Sequence, residues 1–167
     1  FGIFDGHCGQ RTSHAFTTAL PKTMNLLSAV DIHDLTRKPE PGVRQCLDLD
    51  QEFLKDHILQ GDSSGSTAVW AMVNEKDSSV VLGNLGDSRA LILRYDRETG
   101  RLSGDQPLND HKPEDAAESK RIVAAGSYVS GGRTVGNLSL SRAFGDFSDK
   151  HQNLFGKRHP TRRFFKD

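Results

Sequence analysis

From Gly65 onward the residues change in texture, and this change limits the folds open to the chain more than any other feature. Ser66–Val73 and Ser79–Leu85 are short runs rich in strand-favouring residues. The polar pentapeptide Asn74-Glu75-Lys76-Asp77-Ser78 joins them, so the two runs read as an antiparallel hairpin. Ala90–Tyr95 reads as the next strand and leaves through the turn-forming Asp96-Arg97-Glu98-Thr99-Gly100-Arg101. The expectation is a three-strand meander over Ser66–Tyr95, with Trp70 packed in its sheet.

Helical spacing surrounds this block. Ala15, Phe16, Ala19 and Leu20 recur on one face, and Pro21 is expected to stop or kink that helix. A second amphipathic helix spans about Val43 to Leu59, with Val43, Cys46, Leu47, Phe53, Leu54 and His57 or Ile58 in one stripe. Pro41-Gly42 punctuates its start. Asp50 falls in phase with the stripe and reads as a carboxylate at its edge rather than as a catalytic acid. A third helix begins at Lys112-Pro113-Glu114-Asp115, carries Lys120 and Arg121 near its end, and has Gly126 just beyond. Strands grouped apart from helices, without repeats, favour an α+β layered domain over a βαβ series.

The 167 residues, 35% hydrophobic and 26% charged, suit one globular domain or part of one. With 22 basic and 22 acidic side chains there is no global field to attract a nucleic acid or an anionic membrane. No apolar stretch approaches the roughly 18 residues of a membrane span, and Phe1–Gly9 lacks the pattern of a secretory signal. Cys8 and Cys46 have neither metal-ligand nor redox spacing, which fits an intracellular location, cytoplasmic or nuclear.

The opening Phe1-Gly2-Ile3-Phe4 reads as a short strand delivering Asp5-Gly6-His7 into a turn. Strand alternation puts Ile3 and Asp5 on one side and Phe4 and Gly6 on the other. A carboxylate and an imidazole in one turn can hold a metal ion beside a proton donor; the plainer reading is an Asp-Gly turn followed by a surface histidine. Further along stand Gly65-Ser66-Thr67-Ala68, Leu82-Gly83-Asn84-Leu85-Gly86-Asp87-Ser88-Arg89-Ala90, Asp110-His111-Lys112-Pro113 and Gly136-Asn137-Leu138-Ser139-Leu140-Ser141-Arg142-Ala143-Phe144-Gly145-Asp146.

With these segments in this order the chain resembles the metal-dependent protein phosphatases of the type 2C class, from Phe1 to about Phe147. The resemblance implies a β-sandwich flanked by helices and truncated at both ends. It divides the chain into a partial catalytic domain over 1–147 and a basic tail over 148–167. It implies Mg²⁺ or Mn²⁺ as cofactor, two ions with a third possible in the family, with Asp5 as the bridging ligand and Gly6 adding its carbonyl. His7 would be the general acid, and Asp87 a ligand for the additional, weaker metal. Asp87 pairing with Arg89 to organise a turn stays open as the plainer reading. Asp110 and His111 are read as the start of the third helix, and Ser141–Asp146 as a core-building signature that leaves Asp146 outside the site. Cys8 is read as a small filler beside the metals, with oxidation as the other reading.

The family's remaining acidic ligands and its phosphate-binding arginine have no counterpart in these residues. A lone bridging carboxylate is expected to hold two divalent cations weakly. The resemblance implies hydrolysis of phosphoserine and phosphothreonine in a phosphoprotein substrate by a metal-activated water, by a monomer. The alternative is a catalytically inactive, phosphatase-like fragment acting as an interaction module or an incomplete gene product. A nucleotide-binding enzyme is disfavoured because no Gly-x-x-x-x-Gly-Lys-Ser/Thr loop is present.

Overall fold

The strand that opens the chain is zipped to a second one more than sixty residues away. In the computed structural model, which describes residues 1–27, 34–35, 38–76, 78–134 and 137–150, strands β1 (Gly2–Ile3) and β2 (Gly6–His7) follow each other at the start. They pair antiparallel with β4 (Ala68–Asn74) and β3 (Gly65–Ser66), respectively. One register runs through both pairings: Gly2 faces Trp70, Ile3 faces Val69, Gly6 faces Ser66 and His7 faces Gly65. Between them the Thr67 N–H donates to the Asp5 carbonyl at 3.0 Å, while the Asp5 N–H donates to Thr67 Oγ1 at 3.2 Å. The Thr67 hydroxyl thus replaces one ladder bond, and Gly2–His7 behaves as a single strand.

The hairpin expected around residues 74–78 forms. Strand β5 (Ser79–Leu85) pairs with β4 along its whole length, from Ala68 opposite Leu85 to Asn74 opposite Ser79. The meander does not continue. The third strand of this sheet is β1, and β6 (Ile92–Tyr95) pairs instead with β7 (Leu102–Asp105) in a separate two-stranded ribbon. The cause lies at Gly86, whose φ of 101° turns the chain out of the sheet. His111 fixes that turn from both sides: its N–H donates to the Gly86 carbonyl at 2.8 Å, and its Nδ1 accepts the Gly86 N–H at 3.0 Å. The turn expected at residues 96–101 closes the β6–β7 ribbon, with Asp96 accepting the N–H groups of Glu98 and Thr99. A second ribbon joins β8 (Val129–Ser130) to β9 (Arg133–Thr134), and β10 (Phe144–Gly145) pairs with β3 on the edge away from β2.

Helix α1 (Arg11–Leu27) does not stop at Pro21 but continues past it. Pro21 lies on the exposed face, so the carbonyl deprived of its N–H partner, that of Thr17, belongs to an exposed residue. Helix α2 (Glu40–Gln60) takes Pro41 and Gly42 into its first turn, where a missing N–H does no harm. Its stripe is shifted from expectation: Leu49 is buried, Cys46 and Phe53 pack against the core, and Val43 is exposed. Side chains 57 and 58 lie outside the description. Helix α3 (Ala116–Ala124) begins after the Pro113–Asp115 turn and is followed by Gly126 at φ 84°. A last short helix, α4, covers Phe147–Lys150. Residues 151–167, with the basic segment of the tail, and Gly136 fall outside the described residues.

The core is built where α1 and α2 cover the sheet. Phe16, Leu20 and Met24 of α1, Leu49 of α2, Ala68 of β4 and Phe144 of β10 are buried together. Phe16 stacks on Phe144 with ring centroids 4.0 Å apart and meets Phe53 at 4.8 Å. Phe4 and Trp70 close this cluster from the sheet side. Trp70 lies across Gly83, where any Cβ would overlap the indole. Between α2 and the β4–β5 hairpin an open groove of about 590 Å³ is lined by Met24, Cys46, Trp70, Met72 and Val81. The Cys46 thiol facing it is pushed up to about 12 by burial, with the nearby Asp50 adding to the effect, and is therefore inert. Among the described residues no helix is long and apolar enough to cross a membrane.

Candidate active site

Three strands abreast set the site: His7 on β2 and Gly145 on β10 both face Gly65 of β3. From one side the His7 imidazole crosses Gly65 and its Nε2 meets Asp146, at 2.8 Å from Oδ1 and 2.9 Å from Oδ2. Asp146 is 2% exposed, so the imidazole is its means of satisfying a buried charge. The hydrogen bond to Asp146 holds the His7 pKa above its ordinary value. Burial opposes that shift, and the negative charges of Asp146, Asp5 and Asp87 reinforce it. Asp146 had been assigned to the core on the strength of its motif. The structure makes it both a buried residue and the partner of His7.

The backbone at Asp146 is left-handed, with φ 49° following Gly145 at φ 73°. For an aspartate this costs about 1–2 kcal/mol, and the surroundings hold it there. The Asp146 N–H donates to the Ser64 carbonyl at 3.0 Å, and the Asp146 carbonyl accepts the N–H groups of Asp149 and Lys150. Gly145 packs so close to Ser64 and Thr12 that a side chain there would overlap the Ser64 carbonyl. Its N–H donates to Oδ1 of Asp50 at 2.8 Å. Asp50 is 4% exposed and its Oδ2 accepts from Lys150 Nζ at 2.8 Å, so it is not an edge residue of its helix but the buried end of an ion pair. Asp149, one turn beyond Asp146, is raised above the usual carboxylate range by burial, with the Asp146 charge adding and His7 opposing.

Asp5 is exposed, and among the described residues its carboxylate has no hydrogen-bond partner. Cys8, next to His7, is also exposed and left-handed at φ 54°, so it fills no gap in the packing. Asp87 does not pair with Arg89. Its Oδ2 accepts from Lys112 Nζ at 2.5 Å, while Arg89 makes a two-pronged contact with Asp110 at 2.7 and 2.8 Å. Asp110 and His111 hold the Gly86–Arg89 turn in place ahead of α3. The arginine of the Ser141–Asp146 segment is likewise structural: Arg142 donates to both oxygens of Glu118, which also accepts from Arg121 and Ser141.

Of the residues singled out from sequence, the structure keeps Asp5, Gly6 and His7 together, not in the expected turn but at the end of the strand that continues through β2, with Asp87 within electrostatic reach of the imidazole. It does not gather a full set of metal ligands. Among the described residues no three His, Cys, Asp or Glu side chains converge as a metal ion would need. A hard divalent cation takes six or more oxygens. Asp5 and the Gly6 carbonyl supply part of such a set and do not complete it.

An α+β fold whose first strand ends in Asp-Gly-His, with a buried aspartate brought back onto that histidine, has the frame of a phosphatase domain. A sequence profile for protein phosphatase 2C matches residues 1–161, and the chain belongs to that family. It is 37% identical over 152 residues to a probable protein phosphatase 2C of Caenorhabditis elegans, covering 90% of this chain and 39% of that protein. With protein phosphatase 2C homolog 2 of Saccharomyces cerevisiae it shares 35% identity over 156 residues, covering 93% of this chain and 32% of the other. Among solved structures, a sex-determining protein of C. elegans superposes with a TM-score of 0.71 at 26% identity, covering 90% of this chain and 36% of that one. A phosphatase from a pathogenic strain of Toxoplasma gondii follows at 0.63 and 25%, covering 90% and 57%. The chain thus spans about two fifths or less of these two curated relatives.

Proposed function

We propose that this chain is a segment of the catalytic domain of a protein serine/threonine phosphatase, in which His7 protonates the alkoxide leaving from phosphoserine or phosphothreonine. The observation that carries the reading is the His7–Asp146 hydrogen bond. Cleaving the phosphorus–oxygen bond of a serine or threonine ester expels a strongly basic alkoxide, which leaves readily only if it is protonated as the bond breaks. Asp146 favours the charged imidazolium, so a proton is available near neutral pH. Because Nε2 is committed to Asp146, the proton transferred is the one on Nδ1. His7 is half-buried, open enough for a phosphoprotein side chain to reach it.

A bound pair of Mg²⁺ or Mn²⁺ ions supplies an activated water and neutralises charge on the phosphoryl oxygens. Asp5 and the Gly6 carbonyl are the residues of this segment that would contribute to holding them, and Asp87 would serve an additional ion only after exchanging Lys112 for it. The remaining ligands must come from outside the described residues.

The test is Mn²⁺-dependent turnover by the chain extended to the length of its relatives. His7→Ala is expected to lower kcat for a phosphothreonine peptide by roughly 10²–10⁴-fold. The same variant should barely affect p-nitrophenyl phosphate, whose leaving group needs no proton. Equal losses on both substrates would sink the general-acid role. That Asp5 and the Gly6 carbonyl supply only part of a ligand set among the described residues supports a second reading for the isolated segment, an inactive interaction module. Failure of the extended protein to bind Mn²⁺ by calorimetry would select it.

A further inference from the structure

Asp50 stands on α2, far from His7 in sequence and not touching it, yet it grips the turn on which the His7 partner is mounted. We infer that Asp50, with Lys150 as its counter-ion, is a positioning residue for His7, acting through the Gly145 N–H. The inference rests on the reading of His7 as the proton donor.

The geometry is specific. Asp50 Oδ1 accepts the Gly145 N–H at 2.8 Å, which fixes the Phe144–Gly145 peptide, one residue ahead of the left-handed Asp146. Asp50 Oδ2 accepts from Lys150 Nζ, and the same ammonium donates to the Ala143 carbonyl at 2.6 Å and lies 5.5 Å above the Phe147 ring. Lys150 therefore ties the two ends of the Ala143–Lys150 loop to one buried carboxylate. Both residues are buried, Asp50 at 4% and Lys150 at 8% exposure. A buried ion pair is weak evidence for stability in itself, because desolvation offsets the attraction. Its directional contact with Gly145 is what a pair of apolar side chains would lack. With that contact gone the Gly145 N–H is left without its buried acceptor, and the turn at Gly145–Asp146 is expected to relax, moving the Asp146 carboxylate off Nε2.

The experiment uses the 167-residue chain labelled with ¹⁵N-histidine, read at one fixed pH. The His7 Nε2–H, hydrogen-bonded to a carboxylate, gives a low-field imidazole signal that Asp146→Asn should shift. Asp50→Leu/Lys150→Met removes both charges together, stranding neither, and a cooperative urea transition with unchanged circular dichroism shows that it folds. It is expected to lose the low-field signal. Asp50→Asn/Lys150→Met keeps an acceptor for Gly145 and is expected to retain it. A folded Asp50→Leu/Lys150→Met chain with the parent signal overturns the inference. Asp50→Asn/Lys150→Met also provides an arm that does not depend on an apolar replacement at position 50: if that chain folds but lacks the signal, the inference is overturned too. The ring signal reports positioning independently of turnover, so full activity in His7→Ala would defeat only the general-acid reading.

Discussion

The carboxylate of Asp146 lies over the bare Cα of Gly65, so closely that a methyl group on Gly65 would overlap both that carboxylate and His7 Nε2. Gly65→Ala is therefore expected to separate the pair and to destabilise the fold by about 1–3 kcal/mol, the usual range for overpacking. Urea unfolding gives the second quantity and the His7 ring signal gives the first. An unchanged midpoint with an intact signal would show that the imidazole does not cross at this position.

Asp5 has the opposite profile. Its main chain is held by Thr67 and Ser66, while its carboxylate is exposed. Asp5→Asn keeps the main-chain bonds and should leave stability within about 0.5 kcal/mol. In the extended protein the same change is expected to abolish Mn²⁺-dependent turnover. A stability loss comparable to that of a core variant would mean that Asp5 is structural after all.

Strong acid should weaken the fold through the Glu118 cluster. Burial alone would raise the Glu118 carboxyl, but hydrogen bonds from Arg142, Arg121 and Ser141 outweigh it and bring the group from 4.5 to about 2. Its folded pKa lies below its unfolded one, so the stabilisation is complete above the unfolded value and is lost as pH falls toward about 2. The loss should be on the order of 2 kcal/mol, measured as the urea midpoint against pH. Glu118→Gln should flatten that part of the curve; a variant retaining the full acid slope would place its origin elsewhere.

Phe16 is fully buried against Phe144 and Phe53. Removing its ring in Phe16→Ala should cost about 3–5 kcal/mol in denaturant unfolding. Because Phe144 directly precedes Gly145 and Asp146, the His7 signal should also weaken in whatever fraction remains folded. A cost below 1 kcal/mol would mean that the core closes over the gap.

Local pattern revealed the elements that local forces decide. The β4–β5 hairpin and three helices are legible because spacing, turn residues and helix starts act over a few positions. The turn expected at Asp5–His7 is strand instead, because the partners of Gly6 and His7 are Ser66 and Gly65, far along the chain. The strand at residues 92–95 was legible as a strand, but its partner was not, since alternation is the same in a meander and in a ribbon. Asp146 is buried, as its core signature implies, but its bond to His7 was not legible because the two lie 139 residues apart. Asp50 was misread for a related reason: a carboxylate in an apolar phase looks marginal until the N–H and ammonium that satisfy it are seen, and both come from about a hundred residues away. Asp87 and Arg89 are near in sequence, yet each found a better-placed partner around residue 110.

His7 and its partner are 139 residues apart. Closing so long a loop carries an entropic penalty that must be met before the contact gives anything back. During synthesis His7 leaves the ribosome well before Asp146, and until Asp146 follows, the imidazole lacks its carboxylate partner. The pair forms only when the chain has been made as far as Asp146 and this stretch has folded back on the Gly2–His7 strand. Formation of the His7–Asp146 pair therefore waits on a contact of long sequence separation, and agents that slow that closure would delay the pair without touching the strand in which His7 sits.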